Sequence, residues 1–315
     1  MRLHRKLSRL ILVPGWLWGA VTCAQAAPAG QLVIAQGTDA VTMDPHNTTQ
    51  MTAMQPFNFL FNKLINRDDK MQLVPELAES WKPLDDLTWE VRLRQGVKFH
   101  NGETFDANAV KSTLDRVKVA GATHVSGGFT TIDEVTVVDP YTVRIVTKKS
   151  DPLLPSRLAQ WGAQILPPAY FKEAGEEGIA LKAIGTGPYR FGQWRKDDML
   201  VLEANPDYWG KPPEFERVIF RPIPDEFARV SALIADEVDI VVNIPVDFTK
   251  QVDGSNSTYV AETLASATDV FIMGHDKPLQ SKEVRLALNR HRPSETHRYA
   301  VPGFSPTDRP GCCTH

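Results

Sequence analysis

The sequence predicts an α/β fold that is interrupted by an α+β unit, and two patterns carry this prediction. Residues from about 55 to 180 contain alternating apolar and polar runs, typical of antiparallel hairpins, around an amphipathic helix. In the second half, "VIFRPIP", "DEFARVSALIADEV" and "DIVVNIP" follow one another as strand, helix and strand, which is the βαβ unit of a parallel sheet. At 315 residues the chain is long enough for one large or two ordinary domains.

The first 26 residues have the pattern of a secretory signal peptide. Four basic residues precede an apolar run of about 15, and the run is followed by an A-x-A motif at Ala24 to Ala26. Because this run is shorter than a bilayer span and is broken by Pro14 and Gly15, we expect a cleaved leader rather than an anchor. Lipid attachment at Cys23 is the alternative. Loss of the leader would move the formal net charge from -3 to -7, which disfavours nucleic acid as a partner.

The mature chain begins with a predicted strand, a loop and a helix. Residues 32–36 form a short apolar strand, which Gly37 breaks into a polar loop. Such a loop can contact a ligand or simply connect two elements, and both readings stay open. The stretch "TTQMTAMQPFNFLFNKLI" predicts a helix, whose Met51 and Met54 are either core or ligand contacts.

Two hairpins and a helix follow in the α+β unit. In "TWEVRLRQGVKFH" the alternation puts Trp89, Val91 and Leu93 on one face, and the "QG" turn predicts a returning strand over residues 97–99. The pattern "IDEVTVVDPYTVRIVTKK" predicts a second hairpin. Between them, Asp106 is a predicted N-cap of a helix with the apolar stripe Val110, Leu114 and Val117.

The predicted parallel sheet suggests where a ligand would bind. Its helix has apolar residues on one face: Phe227, Val230, Leu233 and Ile234. Parallel sheets carry ligand sites at the carboxyl ends of their strands, and Asn243 and Pro245 lie at such an end.

The residues offer no catalytic or metal-binding pattern. G-x-S-x-G, H-E-x-x-H, the phosphate-binding G-x-x-x-x-G-K and C-x-x-C are all missing from the sequence. The adjacent acidic pairs, such as Asp85 with Asp86, are read as solvated turns. His100 has no neighbour in sequence to orient it as a base or ligand, and the adjacent Cys312 and Cys313 are poorly spaced for zinc. We therefore expect no enzyme, no catalytic residue, no metal site and no cofactor.

Four stretches occur in this order: "LVPELAESWKPLDDLTWEVRLRQGVKFHNGETFDANAVKSTLDRV", "GTGPYRFGQWRKDDMLVLEANPDYWG", "LIADEVDIV" and "KEVRLALN". Together they resemble the bacterial extracellular solute-binding proteins of family 5, the peptide- and nickel-type receptors of ABC importers. The resemblance covers about residues 30 to 289. In "GTGPY", Gly185 and Gly187 allow a tight backbone path. In "NPDYWG", Tyr208 and Trp209 are expected to pack rather than to bind.

The resemblance implies an α/β fold with an inserted α+β domain, forming the first lobe of a clamshell periplasmic binding protein (type II-like, large cluster). Residues 27–52 with 185–268 would form the sheet domain of lobe one, and 53–184 the inserted domain. Residues 269–289 would start lobe two, which would be mostly missing.

The last residues depart from the family pattern. Residues 290–315 hold three of the eight His, two of the three Cys and four of the 23 Pro. We expect a frameshift or premature end that leaves an aberrant, disordered tail, with a genuine alternative C-terminus as the other reading. In that case ligand binding would be impaired.

For function, the resemblance implies a periplasmic receptor that captures oligopeptides or dipeptides noncovalently and delivers them to ABC permease subunits in the inner membrane. The ligand contacts carried over by position after "DPHN" are Thr48, Met51 and Met54, with Trp161 as a further candidate. A receptor for nickel chelate, haem, glutathione or sugar is the alternative, which Met51, Met54 and His46 keep open. An exported hydrolase is the alternative from another class.

Overall fold

The structure is a computed structural model that describes residues 28–255 and 258–261. The described residues up to Val260 belong to one compact unit. The predicted signal peptide 1–26, the start of lobe two at 269–289 and the tail 290–315 lie outside the described residues. Within the described part, no helix has the length and apolarity needed to cross a membrane.

Eleven strands, six α-helices and two short 3-10 helices are found in the described residues. The strands are β1 (Gln31–Gln36), β2 (Ile65–Arg67), β3 (Leu73–Pro75), β4 (Ala78–Pro83), β5 (Thr88–Leu93), β6 (Ile132–Asp139), β7 (Thr142–Thr147), β8 (Tyr189–Arg195), β9 (Met199–Ala204), β10 (Arg217–Pro222) and β11 (Ile240–Val241). The helices are α1 (Met51–Leu60), α2 (Ala107–Val117), α3 (Leu154–Arg157), α4 (Pro168–Leu181), α5 (Glu226–Ile234) and α6 (Thr249–Asp253).

A five-stranded sheet with the order β11-β1-β10-β9-β8 is the centre of the fold. Strand β1 lies parallel to β10, with Gln36 opposite Pro222 at the end, and parallel to β11, while β9 and β8 are antiparallel. The predicted βαβ unit is confirmed as β10-α5-β11. Its two strands are not neighbours, because the N-terminal strand β1 is inserted between them.

Both faces of this sheet are covered, which is why β1 is apolar without interruption from Leu32 to Ala35 and buried from Val33 to Gln36. Ile34 faces a core that includes Phe57 and Leu60 of α1. Val33 and Ala35 face the opposite core, where α5 and α6 pack. The prediction that Phe227 belongs to the apolar face of α5 is wrong, since this side chain is 68% exposed. Its ring packs edge to face on Phe248, with 4.7 Å between the ring centroids, rather than on the sheet.

The α+β unit is built on a four-stranded sheet with the order β4-β5-β7-β6, against which α2 packs. The hairpin β6–β7 and the Asp106 N-cap are confirmed, since Asp106 Oδ1 accepts from the amides of Asn108 at 2.8 Å and Ala109 at 3.2 Å. The predicted first hairpin is wrong. Residues 97–99 form no strand, because both edges of β5 are already paired, with β4 and with β7. Together these sheets confirm the predicted class of an α/β fold with an inserted α+β part, whereas the domain boundaries stay a prediction.

Candidate ligand-binding site

The carboxyl ends of three parallel strands meet at one edge of the large sheet. Strand β1 ends at Gln36, β10 at Pro222 and β11 at Val241, in register with one another. In open α/β sheets, ligands bind in the crevice outside this edge, where the loops leaving the strands converge. Asn243 and Pro245, expected at this edge, directly follow β11.

The first turn of α1 is attached to the same edge. Pro56 has no amide hydrogen, so the carbonyl of Thr52 lacks its usual partner four residues on. The side-chain nitrogen Nε2 of the buried Gln36 donates to this carbonyl at 3.2 Å, and the hydroxyls of Thr38 and Thr52 are hydrogen-bonded at 3.0 Å. These bonds place the N-terminus of α1, and with it Met51, at the carboxyl end of β1.

The four predicted contact residues differ in exposure. Met51 is 57% exposed and Trp161 is 37% exposed, so both offer apolar surface to a ligand. Thr48 and Met54 are buried. The hydroxyl of Thr48 accepts from the amide of Gln50 at 3.1 Å, which orders the entry into α1. In this conformation the side chains of Thr48 and Met54 are covered by the protein itself, and the contact role of all four residues stays a prediction.

The buried side chain of His46 joins the segments that carry these residues. Its Nε2 is 2.9 Å from the carbonyl oxygen of Gln164, and its own carbonyl accepts from the amide of Val125 at 3.3 Å. The side-chain oxygen of Gln164 accepts from the amide of Gly162 at 2.8 Å, next to Trp161. The indole of Trp161 also has the ammonium of Lys63 5.8 Å from its ring centroid.

Asp44, His46, Arg116 and Glu176 form an ionic group, the His46 clamp, in which Glu176 is exposed and the other three side chains are buried. The guanidinium of Arg116, from α2, donates to both carboxylate oxygens of Asp44 at 3.1 and 2.7 Å. It also donates to Nδ1 of His46 at 2.8 Å and bonds the carboxylate of Glu176 on α4. A bidentate arginine–carboxylate pair of this kind is both strong and directional.

The pKa values follow from this arrangement. Burial opposes ionisation of Asp44, but the hydrogen bonds and positive charge of Arg116 outweigh it, so the pKa of Asp44 lies below its usual value. Burial lowers the pKa of His46 to about 4, against the attraction of Asp44. His46 is therefore neutral at pH 7. Both ring nitrogens are occupied, so His46 is not free to bind a metal chelate here, contrary to the role considered for it from the sequence.

His100 also has a structural role. Its Nδ1 accepts from the amide of Gly185 at 3.1 Å, and its Nε2 lies 3.0 Å from the carbonyl of Gly187. Burial lowers the pKa of His100 to about 4. The ring therefore holds "GTGPY" against the α+β unit. Trp209 packs on the core of that unit and under the guanidinium of Arg94, as expected. Among the described residues, no group of three His, Cys, Asp or Glu could hold a metal ion.

Sequence reasoning missed Arg116, because its partners Glu176 and Asp44 are 60 and 72 residues away along the chain. In the pattern of α2 it occupies an ordinary polar position. The role of Gln36 could not be predicted either, since it is simply the last residue of an apolar strand. The signal that could have found Gln36 is Pro56, which predicts an unpaired carbonyl at Thr52 that another donor has to satisfy.

A mixed α/β sheet whose loops gather at one edge, interrupted by an α+β part, defines one lobe of a periplasmic-type solute-binding protein. The sequence profile "Bacterial extracellular solute-binding proteins, family 5 Middle" matches residues 72–291, and the chain belongs to this family.

Relatives with known names agree on the family. The chain is 30% identical over 287 residues to the glutathione-binding protein GsiB of Pectobacterium atrosepticum, covering 90% of this chain and 56% of that protein. It is 28% identical over 290 residues to GsiB of Escherichia coli strain K12, with the same coverage. The chain thus spans about half the length of the curated relatives it matches.

Solved structures share the fold. The Helicobacter pylori DppA in complex with the peptide STSA matches with a TM-score of 0.66 and 26% identity, over 72% of this chain and 49% of that one. The Bacillus subtilis oligopeptide-binding protein AppA, in complex with a nonapeptide, matches with 0.66 and 26%, over 74% and 47%. NikA from Brucella suis, in complex with Fe(III)-EDTA, matches with 0.61 and 30%, over 66% and 42%.

Proposed function

We propose that this chain is the solute-capturing component of an ABC importer and that its ligands are peptides. The family match over residues 72–291 is the observation that carries the proposal. Capture is noncovalent, and the loaded receptor delivers the solute to permease subunits in the inner membrane. Export through a cleaved leader would place the chain in the periplasm, with attachment at Cys23 as the alternative.

The ligands of the relatives and the exposed surface of the candidate site both favour a peptide as the ligand. The relative at 30% identity is named for glutathione, a tripeptide, and two solved relatives hold peptides. In this chain, Met51 and Trp161 offer exposed apolar surface on two segments that His46 joins. The first turn of α1, which begins at Met51 without a side-chain cap, favours a carboxylate or carbonyl oxygen nearby.

A metal chelate is the second candidate. The NikA structure at 30% identity contains Fe(III)-EDTA, and the exposed thioether of Met51 is a soft contact for such a complex. Because His46 is fully occupied, the chelate would have to bring its own ligands rather than take an imidazole from this lobe.

The test is isothermal titration of the full chain with glutathione, Ser-Thr-Ser-Ala and Fe(III)-EDTA. We expect saturable binding of a peptide probe. M51A should weaken it about tenfold, since losing the apolar contact between the Met51 side chain and the bound peptide costs roughly 1.5 kcal/mol. M71A is the matched control, because Met71 is exposed in the turn between β2 and β3.

Two results would count against the proposal. Absence of saturable binding by every probe would contradict capture by this chain, and equal effects of M51A and M71A would contradict the placement of the site. Binding of Fe(III)-EDTA alone would favour the second candidate. Turnover of a peptide probe, followed by mass spectrometry, would instead support the hydrolase alternative.

A further inference from the structure

The His46 clamp connects the α+β part of the molecule to the candidate ligand-binding edge. Arg116 comes from α2 and Glu176 from α4, while Asp44 and His46 belong to the loop that leads into α1. The Arg116 side chain is almost fully buried and its guanidinium also lies over the ring of Phe171, 4.9 Å from the centroid. One cation from α2 thus holds the loop that leads from β1 to Met51.

The clamp also fixes which nitrogen of His46 carries the proton. Arginine has only donors, so Nδ1 of His46 has to accept from Arg116. The proton is therefore on Nε2, which donates to the carbonyl of Gln164. With the other tautomer, two N–H groups would face each other at Arg116, and two acceptors would face each other at Gln164.

Through this tautomer, one side chain of α2 contributes to the position of two separate segments. The bond to Gln164 holds the turn that carries Trp161, and the backbone of His46 continues directly to Thr48 and Met51. The segment with Trp161 is also held by Lys63, through its bridge to Gln164 and its bond to the carbonyl of Ala159. Neither Arg116 nor His46 is exposed enough to contact a solute itself.

We propose that Arg116 is a positioning residue for the solute site: by holding His46 as the neutral Nε2–H tautomer, it keeps Met51 and Trp161 in one fixed arrangement. This inference rests on the proposed function. A clamp that only stabilised the fold would lower the melting temperature when broken but would leave solute affinity independent of pH.

The pH dependence separates these two roles. The titratable groups around His46 are Asp44 on its own loop, Arg116 on α2 and Glu176 on α4, while Gln164 and Val125 present backbone groups. Nearby, His124 bonds the carbonyl of Asn47. Removing Arg116 removes the positive charge that opposes protonation of His46 and leaves Asp44, which favours it, so the pKa of His46 should rise from about 4.

The experiment compares wild type, R116M, R116K and R144M in the full chain. R144M is the matched control, because it also removes an arginine bonded to a glutamate, Glu90, but on the exposed face of the four-stranded sheet. Hydrogen exchange without any solute is read for residues 44–54 and 158–165, at a temperature at which every variant is folded. Binding of glutathione and Ser-Thr-Ser-Ala is then measured from pH 5 to 7.5.

We expect exchange in both segments to rise at least tenfold in R116M and to stay within twofold of wild type in R144M. Affinity for the peptide probe that binds should fall at least tenfold in R116M at pH 7 and decline further toward pH 5, whereas wild type should stay flat over this range. R116K keeps the charge without the bidentate geometry, so it should show faster exchange but little pH dependence. If R116M does not fold, R116K takes its place in the exchange comparison with wild type.

Unchanged exchange in R116M and R116K would overturn the inference, and so would lower stability with unaltered, pH-independent affinity. If no probe binds to wild type, the proposed function fails. The exchange data alone then decide whether Arg116 positions both segments. Faster exchange in both segments of R116M supports this role, and faster exchange in only one segment overturns it.

Discussion

Substitution of Gly187 by alanine is the sharpest test of how the site is supported. Gly187 lies directly against the last turn of α1, and a Cβ added there would be 2.3 Å from the carbonyl oxygen of Phe59 and 2.6 Å from the carbonyl carbon of Leu60. Both are backbone atoms of a helix, which cannot move aside as a flexible side chain could. The backbone at residue 187 therefore has to shift by about 1 Å to reach ordinary contact distance.

The cost can be worked out from the bonds that this shift disturbs. The amide of Gly187 donates to Leu60 at 3.0 Å, and its carbonyl accepts from His100 at 3.0 Å and Asn205 at 3.1 Å. Overpacking costs about 1–3 kcal/mol, and each weakened hydrogen bond contributes about 0.5–1.5 kcal/mol. We expect G187A to lower the free energy of unfolding by about 3 kcal/mol, or roughly 6–12 °C in melting temperature.

Urea unfolding followed by circular dichroism measures this difference. G127A is the control, because a Cβ at Gly127 meets no atom within 4 Å and the backbone there is not in the left-handed region. Its stability should stay within about 1 kcal/mol of wild type. If G187A were as stable as G127A, the close approach of "GTGPY" to α1 would not be a packing constraint and the reasoning would fail.

Two further predictions concern stability. D106A removes the acceptor for two amides at the start of α2 and should lower the free energy of unfolding, measured in urea, by about 1 kcal/mol. D133A, on the exposed edge strand β6, is the control. Equal values for the two variants would contradict the capping role of Asp106. His46 and His100 both have pKa values of about 4 in the folded chain, below the unfolded value near 6.5, so the unfolded chain takes up these protons first. The free energy of unfolding should therefore have its full value above pH 6.5 and fall by about 3 kcal/mol per histidine toward pH 4. If it did not change between pH 6.5 and 4.5, neither ring would be buried in its neutral form.

Much of the fold could be predicted because the relevant signals are local. The alternation in β6 and β7 around Asp139, and the stripe of α2 behind Asp106, are confirmed because a period of two or 3.6 residues and a capping side chain act within a few positions. The partner of β5 could not be predicted in the same way. Its neighbour β4 precedes it across the turn at residues 84–87, and its other neighbour β7 comes from a much later part of the chain. These two pairings exclude the hairpin that the local "QG" turn indicated.

The candidate site was less predictable for the same physical reason. Met51 and Trp161 could be proposed from position alone, but their relation depends on His46, and His46 depends on an arginine that the α+β part supplies from 70 residues further along the chain. A charged residue in a helix is ordinarily solvated, so nothing in the pattern of α2 distinguishes Arg116 from its exposed neighbours. Burial and a second carboxylate make the difference, and both arise only when α2, α4 and the loop before α1 come together. If the clamp positions the site, the α+β part takes part in solute recognition without touching the solute, and substitutions in α2 can change affinity as strongly as substitutions at the carboxyl edge.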